Sequence, residues 1–167
     1  MRRDEFIDII EKLQKKDKVV LARLYNEYFS KIYFTALWSV KNREDAYDIA
    51  MNVIMRLCNY EGDPAEIRNH VGLLVTMTKN EVNDYFRWKR YCVEADIETI
   101  EVSKTETDAL WIVDLLNCLT KQEQEILIDH IVWGKKLKEI AQAKGKPYIT
   151  LKREYSIIKK KIKELYK

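Results

Sequence analysis

Apolar residues recur three and four positions apart along most of the chain, which is the spacing of one face of an α-helix. The longest such series runs through residues 20–40, and a shorter one occupies residues 6–13. Further series lie within residues 46–57 and 66–90. The pattern therefore predicts four amphipathic helices in the first 90 residues.

Capping signals indicate where several helices begin. Asn42 precedes Glu44 and Asp45, and a short polar side chain followed by acidic residues is typical of a helix N-terminus. Capping boxes, in which a hydroxyl residue is followed three positions later by Glu, begin at Ser103 and Thr120. We therefore predict further helices from these two positions.

The helical spacing is lost between residues 91 and 109, where six acidic residues accompany a single basic one. A segment of this composition is typical of a solvated linker. We therefore predict an all-α protein of two small helical domains. The first occupies residues 1–90, an acidic linker follows at residues 91–104, and the second occupies residues 105–167.

The end of the chain has the layout of a helix-turn-helix. Gly134 ends one predicted helix, a short helix at residues 136–144 is closed by Gly145, and a last helix fills residues 147–167. Residues 144–167 hold nine basic and two acidic side chains. Such a helix is typical of DNA recognition, but a solvated basic helix or a short coiled coil has the same pattern.

Residues 85–91 form a second basic stretch, in which Tyr, Phe and Trp alternate with Arg and Lys. Aromatic rings beside basic groups are suited to stacking on unpaired bases while phosphates are neutralised. The alternative is the end of an amphipathic helix whose aromatic residues complete a core.

Composition argues against several classes of protein. Four Gly and two Pro in 167 residues are too few for the turns of a β-sandwich or barrel. The three cysteines and two histidines have no metal-ligand or nucleophile spacing, and no glycine-rich phosphate loop occurs. We therefore expect no cofactor and no enzymatic activity. Because no apolar run exceeds five residues, we expect no membrane insertion and a cytoplasmic protein.

Three sets of residues resemble bacterial RNA polymerase sigma factors of the extracytoplasmic-function (ECF) group. The first set is LYNEYF at residues 24–29 with NREDAYDI at residues 42–49. The second set is Leu73-Leu74, Lys79-Asn80 and DYFR at residues 84–87. The third set is Leu119-Thr120, QEIL at residues 124–127, Gly134, Glu139-Ile140-Ala141, Gly145 and TLK at residues 150–152. Together they extend over residues 20–90 and 117–166, which resemble sigma domains two and four.

The resemblance implies a division of labour between the two domains. In the family, domain two docks on core RNA polymerase and binds the minus-ten promoter element, and domain four binds the minus-thirty-five element. The residues implied to bind polymerase are Asp45, Asp48, Ile49, Asn52 and Arg56. Those implied to contact minus-ten DNA are Tyr60, Asn69, Lys79, Asn80, Asn83, Arg87, Trp88 and Arg90. Those implied to contact minus-thirty-five DNA are Tyr148, Thr150, Lys152, Arg153, Glu154 and Lys159.

The implied function is that of a promoter-specificity factor that binds core RNA polymerase and promoter DNA, opens the strands and performs no chemistry itself. An anti-sigma factor is a further implied partner. A sigma-like interaction protein, or a helix-turn-helix regulator that does not initiate transcription, is the alternative.

The chain departs from the family pattern at several positions. Met51-Asn52 replaces the usual Gln-Glu of the clamp-binding helix, and Lys136 and Pro147 replace small polar caps. Glu154 stands where a basic residue is expected. Because a carboxylate can accept a hydrogen bond from cytosine N4, Glu154 suggests an altered minus-thirty-five preference.

Overall fold

A computed structural model of the protein describes residues 1–17, 19–95 and 118–165. The chain divides into two compact units, Met1–Ile100 and Glu101–Lys167. All regular secondary structure in the described residues is helical. The predicted all-α fold class is confirmed.

Four α-helices form the first unit, as the spacing of apolar residues predicts. They are α1 (Arg3–Gln14), α2 (Val19–Val40), α3 (Arg43–Cys58) and α4 (His70–Ala95), with a short 3-10 turn at Pro64–Glu66. Asn42 caps α3 as predicted, because its side-chain oxygen accepts a hydrogen bond from the Asp45 backbone N–H. Lys41, with φ of +56°, adopts the left-handed conformation that reverses the chain between α2 and α3.

Both predicted boundaries of the fourth helix were wrong. The helix begins at His70 rather than Glu66, because the Asn69 side-chain oxygen accepts a hydrogen bond from the Gly72 N–H at 2.9 Å and caps it there. It continues to Ala95, so residues 91–95, assigned to the linker, are helical. These five residues include neither Gly nor Pro, so nothing in them ends a helix despite the change in composition. The remainder of the predicted linker lies outside the described residues.

The core of the first unit is apolar and extends over all four helices. Its fully buried large side chains are Phe6, Ile9, Ile10, Leu24, Tyr28, Ile32, Leu57 and Leu74. Phe6 stacks on the imidazole of His70 at 5.1 Å between ring centroids. The same imidazole packs edge-on against Tyr28, and burial lowers the pKa of His70.

The second unit contains three described α-helices. They are α5 (Lys121–Leu127), which continues into a π-helical turn at Ile128–Val132, α6 (Leu137–Ala143) and α7 (Tyr148–Leu165). The capping box at Thr120 is confirmed, since Thr120 and Glu123 exchange side-chain-to-backbone hydrogen bonds. The box predicted at Ser103 lies outside the described residues.

The chain reverses direction at two glycines in this unit. Gly134 and Gly145 have φ of +66° and +62°, which an L-residue adopts only at a cost. Between them, the Glu139 side chain accepts a hydrogen bond from the Lys136 N–H at 3.0 Å. Glu139 therefore caps α6, since Lys136 has no small polar side chain that could do so. Helices α6 and α7 then pack through buried Ile140 and Leu151. The helix-turn-helix layout follows from these turns.

No helix within the described ranges is long and apolar enough to cross a membrane.

Candidate functional site

Helix α3 presents part of the predicted polymerase-binding set to solvent. Asp48 and Asn52 are exposed one turn apart on its outer side, and Asp45 is half-buried in its first turn. Ile49 is 3% exposed and packs with Ala36, Leu37 and Val82. Its side chain belongs to the apolar stripe that holds α3 against α2 and α4, and its polymerase contact stays a prediction.

Exposed aromatic rings outside the predicted polymerase-binding set extend this outer side of α3. Tyr47 is about half exposed and packs edge-on against Phe29 of α2, with 5.3 Å between centroids. Phe29 in turn stacks on Tyr25 at 4.4 Å. An open groove lies between the two helices and is lined in part by Tyr33 and Asp48. The surface beside Asp48 is therefore aromatic as well as acidic.

Arg56, also predicted to bind polymerase, forms salt bridges to α4. Its Nε lies 2.6 Å from the Glu81 carboxylate, and its Nη2 lies 3.9 Å from that of Asp84. Glu81 is only 8% exposed, so it depends on this guanidinium for charge compensation. The geometry gives Arg56 a structural task, which is to join α3 to α4.

A hydrogen-bonded chain also joins the start of α3 to α4. The Tyr85 hydroxyl donates to Asp45 at 2.6 Å, and the Lys89 ammonium donates to the same hydroxyl at 2.9 Å. Burial and the hydrogen bond to Asp45 raise the pKa of Tyr85, and the bond to Tyr85 raises the pKa of Lys89. The tyrosine therefore stays protonated near neutral pH and connects a predicted polymerase residue to the helix predicted to bind DNA.

Most predicted minus-ten residues on α4 share one exposed side. Because a helix turns by about 100° per residue, residues three, four and seven apart lie close together on its surface. The exposed members of this set are Lys79, Asn80, Asn83, Arg87 and Arg90. Trp88 is also exposed, but it lies one residue beyond Arg87 and therefore flanks this side. Arg87 forms an ion pair with Asp84 at 3.2 Å.

Tyr60 and Asn69 lie at the two ends of the loop before α4, and each takes part in its local structure. The Tyr60 carbonyl accepts a hydrogen bond from the Gln14 side chain at 2.9 Å, and its ring lies over Gly62, where an added Cβ would meet the hydroxyl at 2.6 Å. Asn69 caps α4. Arg3 fastens the loop from α1 through the Ile67 carbonyl at 2.7 Å. The DNA contacts predicted for this loop stay predictions.

The described basic side chains of the second unit fall into two groups, those that form an intramolecular ion pair and those that do not. Four lysines are paired at 2.5–2.7 Å: Lys135 with Asp129, Lys144 with Glu125, Lys146 with Glu154 and Lys161 with Glu123. The hydrogen bond from Lys161 lowers the pKa of Glu123, which keeps this carboxylate ionised. Lys144 and Lys161 join α6 and α7 to α5, whereas Lys135 and Lys146 lie in the turns before α6 and α7.

Glu154 is among the paired residues. Its Oε1 accepts a hydrogen bond from the Lys146 ammonium at 2.7 Å, so it anchors the turn between α6 and α7. The side chain is only about one-third exposed. This ion pair gives a structural reason for an acidic residue at this position, and the contact of Glu154 to cytosine stays a prediction.

The outward side of α7 carries basic residues that take no part in these ion pairs. Lys152, Arg153 and Lys160 are exposed and form no ion pair within the described residues. Lys159 lies 5.3 Å above the Tyr155 ring. Of the predicted minus-thirty-five set, Tyr148, Thr150, Lys152, Arg153 and Lys159 are exposed. Ile149 is 65% exposed in the first turn, although its apolar character gives no sign of this in the sequence.

No group of three or more His, Cys, Asp or Glu side chains that could hold a metal ion occurs among the described residues.

The chain is similar in sequence to a known protein and in structure to a solved complex. No protein-family model matches the chain. The ECF RNA polymerase sigma factor BldN of Streptomyces coelicolor is 23% identical over 152 residues, which cover 84% of this chain and 58% of that protein. The chain therefore spans less than two thirds of the length of this curated relative. The resemblance to ECF sigma factors is confirmed by this match.

Among solved structures, the chain is similar to the one described as the RsbN-BldN complex, with a TM-score of 0.39 and 18% identity. That match covers 93% of this chain and 98% of the other.

Proposed function

We propose that this chain is a promoter-specificity factor of the ECF type, which binds core RNA polymerase and directs transcription initiation at promoter DNA. In this proposal the first unit binds polymerase through α3 and the minus-ten element through α4, and the second binds the minus-thirty-five element through α7. The relationship to a curated ECF sigma factor supports the class. The protein would act in the cytoplasm, with an anti-sigma factor as a further partner.

The observation that carries the proposal is the division of α7 into two sides. Leu151 and Ile158 are fully buried on one side, whereas Lys152, Arg153 and Lys160 are exposed on the other. In a helix-turn-helix, the second helix enters the major groove and its N-terminal residues approach the bases. Basic side chains without an intramolecular partner are suited to neutralise phosphates there.

The first unit supports the polymerase contact through the outer side of α3. Asp48 and Asn52 are exposed there, next to the ring of Tyr47. Exposed aromatic residues beside a few charged groups are typical of protein interfaces. We therefore add Tyr47 to Asp48 and the other residues expected to contact the polymerase clamp.

Run-off transcription tests the proposal. The full chain is mixed with the core polymerase of its own host, and DNA fragments from the host genome serve as templates. We expect a transcript from a small set of promoters, with the region upstream of the chain's own gene as the first to try. If no fragment yields a transcript, the proposal is rejected. If the chain binds duplex DNA as a dimer without polymerase, a helix-turn-helix regulator is favoured.

A charge-reversal pair localises the DNA contact. Arg153→Glu should lower promoter binding by the holoenzyme at least tenfold and reduce its salt dependence, because a phosphate or base contact is replaced by repulsion. Lys15→Glu makes the same change in net charge at an exposed position after α1 and should leave binding unaltered. Equal losses in both variants would point to a general charge effect instead.

A further inference from the structure

Ile149 is a large apolar side chain that is exposed at the start of α7. It is 65% exposed in the first turn of α7, whereas the core residues of that helix, Leu151 and Ile158, lie on the opposite side. Single exposed apolar residues are common on protein surfaces. The position of this one is informative because the first turns of such a helix approach base edges.

The neighbours of Ile149 are basic and aligned with it. Arg153 and Lys160 lie about one and three turns further along the same side of α7, and Lys152 lies beside them. All three are exposed, and within the described residues none forms an ion pair. This positive side is complementary to a nucleic-acid duplex, so DNA rather than an apolar protein surface is the partner that it fits.

The major groove presents one apolar group at its base edges, the 5-methyl group of thymine. Its other features are hydrogen-bond donors and acceptors, to which an isoleucine cannot bind. An arginine one turn away is suited to the O6 and N7 acceptors of guanine. Ile149 and Arg153 together therefore fit a thymine and a guanine that lie near each other.

We propose that Ile149 determines specificity by packing against the 5-methyl group of a thymine in the minus-thirty-five element. The inference rests on the proposed function and deepens it, since it names the chemical group that α7 recognises. The methyl contact supplies base discrimination, while Lys152 and Lys160 bind the flanking phosphates.

Deoxyuridine substitution tests the contact, because it removes only the methyl group and keeps base pairing. Each thymine of the minus-thirty-five region of a promoter transcribed by the holoenzyme is replaced in turn, and the dissociation constant of the holoenzyme is measured. We expect one position at which deoxyuridine weakens binding about fourfold, which corresponds to ~0.8 kcal/mol for one methyl group removed from water. Ile149→Ala should bind both duplexes equally.

Ile157→Ala is the matched control. Ile157 is 53% exposed on α7 about two turns beyond Ile149, past the first turns that approach base edges, so this variant should keep the preference for thymine. Both alanine variants should fold, since each removes an exposed side chain and alanine favours helix. Thermal unfolding of each variant checks this expectation.

Three results would overturn the inference. The wild type could fail to distinguish thymine from deoxyuridine at every position, or Ile149→Ala could keep the preference. Loss of core polymerase binding in Ile149→Ala would instead identify Ile149 as a protein contact. In all three cases transcription by the wild type would still stand, whereas a chain that initiates at no promoter would refute the proposed function itself.

Discussion

Removal of Arg56 should destabilise the first unit, although sequence resemblance assigns this residue to polymerase binding. The guanidinium is 54% exposed, but its partner Glu81 is only 8% exposed, with 2.6 Å between Nε and the carboxylate. Arg56→Met would leave a buried carboxylate without its counter-charge. Breaking a fully buried pair costs about 3–5 kcal/mol, and an exposed pair contributes at most ~1 kcal/mol. For this half-exposed pair we expect about 2 kcal/mol.

The assay is thermal and urea unfolding of the full chain. The unfolding transition of the first unit is the quantity monitored. A loss of this size lowers the Tm of a domain of 60–100 residues by roughly 8–16 °C. The double variant Arg56→Met with Glu81→Met should recover most of the loss, because no buried charge is left unpaired. Arg43→Met, at an exposed position on the same helix, is the control and should change stability by less than about 0.5 kcal/mol.

The structural role of Arg56 would be refuted by a single variant as stable as the wild type. It would also be refuted if the effects of Arg56→Met and Glu81→Met simply added, since independent residues show no coupling energy. If Arg56→Met folded normally but failed to bind core polymerase, the residue would be the contact that the resemblance implies.

Three further predictions concern contacts between helices and at a cap. Tyr85→Phe removes the donor to half-buried Asp45 and should lower stability of the first unit by about 1–2 kcal/mol in urea unfolding; no change would show that the hydrogen bond is replaced by water. Thr120→Ala breaks a capping box and should cost about 1 kcal/mol in the second unit, whereas Thr120→Ser should cost little. The lowered pKa of Glu123 stabilises the folded state above its unfolded pKa, so this contribution should be lost as pH falls below about 4. Lys161→Met should reduce that acid sensitivity, and an unchanged pH profile would contradict this account.

Within the described residues, the sequence alone determined the helices and most of their ends, because amphipathic spacing, caps and glycines act over three or four neighbouring residues. Asn42 and Thr120 cap helices as predicted, and Gly134 and Gly145 occupy the left-handed turns of the second unit. The ends of α4 were missed where a cap at Asn69 and the absence of any helix breaker outweighed composition. The resemblance to sigma factors was likewise readable from short motifs in order.

Only the tertiary structure decided which polar and apolar side chains remain available to a partner. A basic residue looks the same in sequence whether it faces solvent or binds a carboxylate 38 positions away, as Lys161 binds Glu123. The same holds for Arg56 and Glu154, whose partners lie on another helix or across a turn. Ile149 was overlooked for the converse reason, since exposure depends on how the whole helix packs. Long-range pairing and burial are properties of the folded chain, which local spacing does not encode.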